Sequence, residues 1–269
     1  MHPKKQRRRQ YLLRFLFAGF SAAAMLLGML AVALAYDKGT NYFQSGSILP
    51  ILALLAALLA AAAGTTDAII TPAEEIPSIA RSDRFQAEHL PAGIGFLVAS
   101  ITLFATEGTR LSKATAILAA IAFLYCILAS LGSRMAKEIK AYLAFTAVIS
   151  CALLTVLHYF DFTVEMNAPI KLSIQITLLC AMLFFVGEIR THFDMPASRL
   201  YRAVQTWTVS AGMLTSLAVA LAFFLKKTDR FDYFSLSITL IGLTATAFLR
   251  WLPTALEAEQ NSNTDNDYI

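Results

Sequence analysis

Eight stretches of almost uninterrupted apolar residues divide the chain, at 11–36, 47–70, 92–106, 114–132, 141–160, 172–187, 204–225 and 233–252. A backbone inside hydrocarbon has no water for its amides, so each stretch must be a helix that bonds its own polar groups. About 20 apolar residues cross a hydrocarbon core about 30 Å thick, and most of these stretches have that length. Apolar residues make up 57% of the chain and charged ones 15%, against about 45–50% and about 25% in soluble domains. The fold class expected is all-α: a polytopic transmembrane helical bundle of about eight spans, multi-pass in the cell membrane. Residues 1–10 form a basic N-terminus, 11–252 the membrane domain, and 253–269 an acidic tail whose composition predicts no fixed structure.

Two spans read as short. The third has 15 apolar residues and the sixth 16. Asp83 with Gln86 reads as a capping pair that starts a helix at Arg84 along the interface. Pro91 is expected to kink that helix, and Gly93 and Gly95 to loosen it, as it enters the membrane. Thr71, Pro72, Ala73 and Glu74 match a capping box for a short helix after the second span.

Basic residues set the expected orientation. With the N-terminus in the cytosol, 15 of the 22 Lys and Arg fall on the inner side, six of them (Lys4, Lys5, Arg7, Arg8, Arg9 and Arg14) before or at the start of the first span. This asymmetry puts both termini in the cytosol. Lys226, Lys227 and Arg230, in the last outer loop, run against the rule locally. Ala33, Leu34 and Ala35 resemble a cleavage site, but the apolar stretch before them exceeds a signal peptide's 7–15 residues, so an uncleaved anchor is expected.

Loops of about ten residues on the outer side, and a longest inner one of about twenty at 71–91, leave no room for a nucleotide-binding module, and no phosphate-binding glycine string occurs. The basic residues carry no interleaved stacking aromatics, which excludes nucleic acid as a partner. Cys126, Cys151 and Cys180 all lie inside apolar runs and read as unpaired packing residues. No Cys/His ligand spacing appears, so neither a metal nor a cofactor is expected.

Ionisable and hydroxyl groups inside spans are the usual pointers to function in a membrane protein. On the fifth span Cys151, Thr155 and His158 share a face, with Asp161 one turn further at the outer end. Lys171 and Gln175 stack at the start of the sixth span, where Ser173, Thr177, Cys180 and Glu188 form a stripe. Glu188 is expected near the inner end, paired around Arg190 or with His192 at i+4; Asp194 lies just beyond. Asp67 stands where the second span leaves the membrane. Stripes of small and hydroxyl residues mark the seventh span (Thr208, Gly212, Ser216, Ala220) and the eighth (Ser235, Thr239, Gly242, Thr246). Such stripes either bring helices together or line a hydrated path. Trp207, Tyr201, Tyr233 and Trp251 read as an interfacial belt.

These features frame three expectations. The first is a transporter- or permease-like protein moving a small solute or ion along His158, Asp161, Thr155, Thr177, Glu188, Thr208 and Thr239. The second is a non-catalytic subunit or regulator that packs against a membrane partner or a second copy of itself. The third is a lipid-acting enzyme using His158 with Asp161, or Glu188; no residue is singled out as catalytic.

Overall fold

The computed structural model describes residues 3–71, 87–106, 108–131, 136–161, 164–165, 167–193, 195, 198–228 and 231–264, with backbone alone for 3–5, 7, 231 and 253–264. Its helices are α1 (Pro3–Ala35), α2 (Leu49–Ile70), α3 (Leu90–Ala105), α4 (Arg110–Ser130), α5 (Lys137–Tyr159), α6 (Pro169–His192), α7 (Arg199–Phe224) and α8 (Phe231–Thr264). All eight contain a segment long and apolar enough to cross a membrane, and the large apolar side chains that face outward are those expected to meet lipid: Leu54, Leu58, Ile101, Phe145 and Ile176 among them. The all-α, eight-span bundle expected from hydropathy is the observed fold.

Sequential helices pack as antiparallel neighbours except α2 and α3, and α3 and α7 both lie against α8. The α1–α2 pair reaches the rest of the bundle chiefly through α7. Between α1 and α2 a two-residue ribbon forms, β1 (Tyr36–Asp37) against β2 (Tyr42–Phe43), pairing Tyr36 with Phe43 and Asp37 with Tyr42. Asp37 orders its turn by accepting from the Gly39 amide and the Thr40 hydroxyl. This ribbon marks one end of the bundle, the hairpin end. The other, the terminal end, holds the start of α1 and α7 and the close of α2, α6 and α8, joined by side-chain contacts such as Arg202 to Asp67 and Arg250 to Glu188.

Several local expectations are corrected. The sixth span is not short: α6 has 24 residues, because Lys171 and Glu188 lie inside it, both fully buried with partners. Pro91 does not kink the third span but sits in the first turn of α3, where its missing N–H costs nothing. A 3-10 turn at Ala87–His89 leads into it. Gly95 does not loosen α3. A Cβ there would stand 2.9 Å from the Thr239 Cα, so the glycine is the condition for α3 and α8 to touch. Thr71 closes α2, its hydroxyl donating to the Asp67 carbonyl at 2.7 Å; the rest of its capping box, with Asp83, Arg84 and Gln86, lies outside the described residues. The belt aromatics turn inward: Tyr201, Tyr233 and Trp251 are buried, and Trp207 donates to Thr65 at 2.8 Å. The acidic tail is helical as far as Thr264, in keeping with the helix-forming Ala, Leu, Glu and Gln at 255–260. The three cysteines are free.

Candidate functional site

Glu188 is the centre of a buried polar cluster at the terminal end. Arg250 of α8 grips it with both arms of its fork, Nε donating to Oε1 at 3.0 Å and Nη2 to Oε2 at 2.9 Å. The Tyr201 hydroxyl, from α7, also donates to Oε1. His89 brings its Nε2 to 3.4 Å from Oε2. A third arm of Arg250 donates to Glu88 at 3.0 Å. Nearby, the Tyr125 hydroxyl meets His192 Nε2 at 3.1 Å.

Local sequence explains how these groups converge. Ser198 caps α7 by accepting from the Tyr201 amide, which fixes where the helix starts and where Tyr201 points. Gly187, beside Glu188, has no Cβ, and the Tyr201 ring occupies the space that one would fill. The 3-10 turn ahead of Pro91 sets His89 between α4 and α6. The carboxylate is largely occupied: an ionised Glu offers about four lone-pair sites, three hydrogen bonds come from Arg250 and Tyr201, and the His89 ring stands beside Oε2 without a hydrogen bond. Such a bidentate, buried pair holds helices together and commits Glu188 to partners from the same chain.

A second cluster lies on the other side of α7. Asp67, buried inside α2, accepts from Arg202 Nη2 at 2.7 Å and from Arg14 Nε at 3.3 Å. Gln10 reaches Thr71 beside it. Tyr201 and Arg202 are consecutive, so one turn of α7 pins α1 and α2 on one side and α6 on the other, where Arg250 ties in α8.

The residues expected to line a path do not converge. Thr177 donates to the Ser173 carbonyl at 2.8 Å and to Thr215 of α7 at 3.3 Å. Thr239 points to the Gly95 carbonyl of α3 at 3.0 Å. Thr208 and Thr155 bond the carbonyls of Val204 and Cys151 on their own helices. His158 packs its ring against Tyr233 at 5.4 Å, and the Asp161 carbonyl, with that of Val164, holds the Lys171 ammonium. The stripes serve close packing: Gly212 lies against Thr244, Gly242 against the Pro91 carbonyl, and Thr246 accepts from the Ala92 amide. Asp194 lies outside the described residues.

Glu188 therefore pairs with α8, not with Arg190 or His192 of its own helix. Of its partners, His89 drew no reading from sequence, Tyr201 was read as an interfacial aromatic, and Arg250, like the Asp67 partners Arg14 and Arg202, only as a cation of the inner side. One signal pointed to them: a lone carboxylate inside an apolar helix requires a cation from elsewhere, and Arg250 lies within an apolar span.

The hairpin half of the bundle has an opening of a different kind. A cavity of about 570 Å³ lies between α2 and α6, open to the side and floored by α7 and the last turns of α1. Its walls are chiefly aliphatic. Within the groove the polar groups are turned away: Ser173 and Ser210 bond helix carbonyls, Thr215 accepts from Thr177, and Trp207 donates to Thr65; at its mouth the exposed Asn167 accepts from the Tyr42 hydroxyl. Comparison with protein-family models, curated proteins and solved structures gives no match for this chain.

Proposed function

We propose that this protein is a non-catalytic binding subunit or regulator in the membrane, whose working surface is the lateral groove between α2 and α6. The observation that carries this reading is the contrast between sealed polar groups and an open apolar cavity. Glu188 and Asp67 are closed by partners from the same chain, and the hydroxyls of Thr177, Thr208 and Thr239 are spent on helix carbonyls, with Thr177 also reaching Thr215. A path for a polar solute needs such groups turned towards it. A groove of carbon atoms open to the bilayer suits an apolar guest instead. The basic asymmetry supports a cytosolic terminal end.

The test is a set of variants assayed against the phenotype of deleting the gene. Ala211→Phe, on the groove floor, is expected to insert and fold yet fail to complement, whereas His158→Ala complements. The purified chain in proteoliposomes is expected to give no proton or ion flux above protein-free vesicles. A flux that Glu188→Gln abolishes would replace this reading with the transporter one. For orientation, single cysteines at Thr40 and Asn263 in a cysteine-free chain are expected to label from opposite sides with an impermeant reagent.

A further inference from the structure

The groove has a definite height. On α2 it runs from Pro50 to Ala61 and on α6 from Pro169 to Cys180. Each is twelve residues, eleven steps of about 1.5 Å, or about 17 Å of helix rise. Half of a hydrocarbon core about 30 Å thick is nearly the same length. The groove is thus one leaflet tall, on the hairpin side, and at its deep end Trp207 bonds Thr65 across α7 and α2. A partner's transmembrane helix would run on through the second leaflet and find no groove there. A single alkyl chain would be covered along its length.

The mouth supplies the second observation. Along α7 the groove-lining residues include Thr215, Ala218 and Val219; the helix ends at Phe224 on the hairpin side, and Lys226 stands exposed two residues beyond that end. Lys226 has φ +54°, just past the helix end, a position that usually takes glycine because a side chain is strained there. Lys227 follows, held by donating its ammonium to the Tyr36 carbonyl at 2.8 Å. The Tyr36 ring in turn touches Phe43, which lines the mouth. In the proposed orientation these lysines stand on the side that the charge rule leaves poor in cations, so topology does not account for them.

We infer that the groove binds an anionic lipid of the hairpin-side leaflet, with one acyl chain between α2 and α6 and its phosphate at Lys226 and Lys227. This rests on the binding reading above and names its ligand. Attraction of an anionic headgroup to each lysine is worth about fivefold in affinity. The acidic groups described on this face, Asp37, Asp161, Glu165 and Asp232, work against any non-specific attraction: Asp37 is engaged in the ribbon turn, Glu165 lies beside the Tyr42 hydroxyl, Asp161 follows the end of α5, and Asp232 sits at the start of α8.

The two tryptophans make the test direct, because Trp207 lines the groove and Trp251 is buried at the other end. In the full chain carrying Trp251→Phe, in detergent, phosphatidylglycerol with brominated chains is expected to quench Trp207 at several-fold lower mole fraction than brominated phosphatidylcholine. Lys226→Gly, which suits the backbone, with Lys227→Gln, which keeps a donor for Tyr36, is expected to erase that preference. Ala211→Phe is expected to erase the quenching by both lipids, and inorganic phosphate is expected not to compete. Equal quenching by the two lipids, lost in Ala211→Phe, would overturn the anionic assignment and leave a groove for chains of any headgroup. Quenching that Ala211→Phe does not change would overturn the site itself. Failure of Ala211→Phe to disturb complementation would instead count against the subunit reading, whichever lipid binds.

Discussion

At the terminal end of the bundle, charged side chains are drawn inward and closed on one another; in the hairpin half, the walls between α2 and α6 stand apart and present carbon. Both regions are built from helices of similar hydropathy. They differ in what joins the helices. Glu188, Asp67 and their arginines tie α1, α2, α6, α7 and α8 across buried ion pairs, a join that tolerates no loose partner because an unpaired buried charge is so costly. Around the groove, α2 and α6 each lean on α7 and leave a gap between themselves. The first region is therefore expected to be rigid and expensive to alter, the second adaptable and cheap.

The sharpest way to break that contrast is to remove half of an ion pair. Glu188→Leu takes the buried carboxylate from Arg250 Nε and Nη2, leaving only the partly exposed Glu88 to face the guanidinium, and is expected to destabilise the chain by about 3–5 kcal/mol, read as a fall in thermal midpoint in detergent. Adding Arg250→Met should recover most of the loss; a double variant as unstable as the single one would mean that the pair is not what binds α6 to α8.

A smaller effect is expected where packing alone joins the helices. Gly95→Ala pushes a methyl group against the Thr239 backbone, which cannot swing aside as a side chain would. A loss of about 1–3 kcal/mol should follow. A neutral result would show that α3 and α8 can separate at no cost, and that the body of the bundle is as yielding as the groove.

The smallest effect belongs to the groove. Cys180, half-buried on its wall, should accept Ala with a change within about 0.5 kcal/mol, and its thiol should react with a lipid-soluble maleimide while the fully buried Cys126 and Cys151 do not. Equal protection of all three would mean that the gap between α2 and α6 is closed in solution.

Much of this architecture was legible in the residues. Eight spans were read from apolar length, and their ends fell within a few residues of the helices, except that α1 starts eight residues before its span and α7 five, α6 ends five after it and α8 runs twelve beyond. At α6 the cause is burial of charged residues, which also hid His89 ahead of α3. His89, Lys171 and Glu188 look like residues at the membrane surface, and each is buried inside the bundle next to a partner. Of the two uses that sequence left open for the small-residue stripes, the structure shows close packing, and the hydroxyls expected to line one path along α5 to α8 point to different neighbours.

Hydropathy is local: whether a segment belongs in lipid depends on its own side chains and on the need to bond its own amides, so the number and length of spans follow from the chain alone. Partner choice is not local. Arg250 meets Glu188 across 62 residues of sequence and Arg202 meets Asp67 across 135, and an arginine at the end of a span reads the same whether it faces headgroups or a buried carboxylate. Only the order in which the helices pack decides that, and the same order decides that α2 and α6 both flank α7 with a gap between them, which leaves the groove.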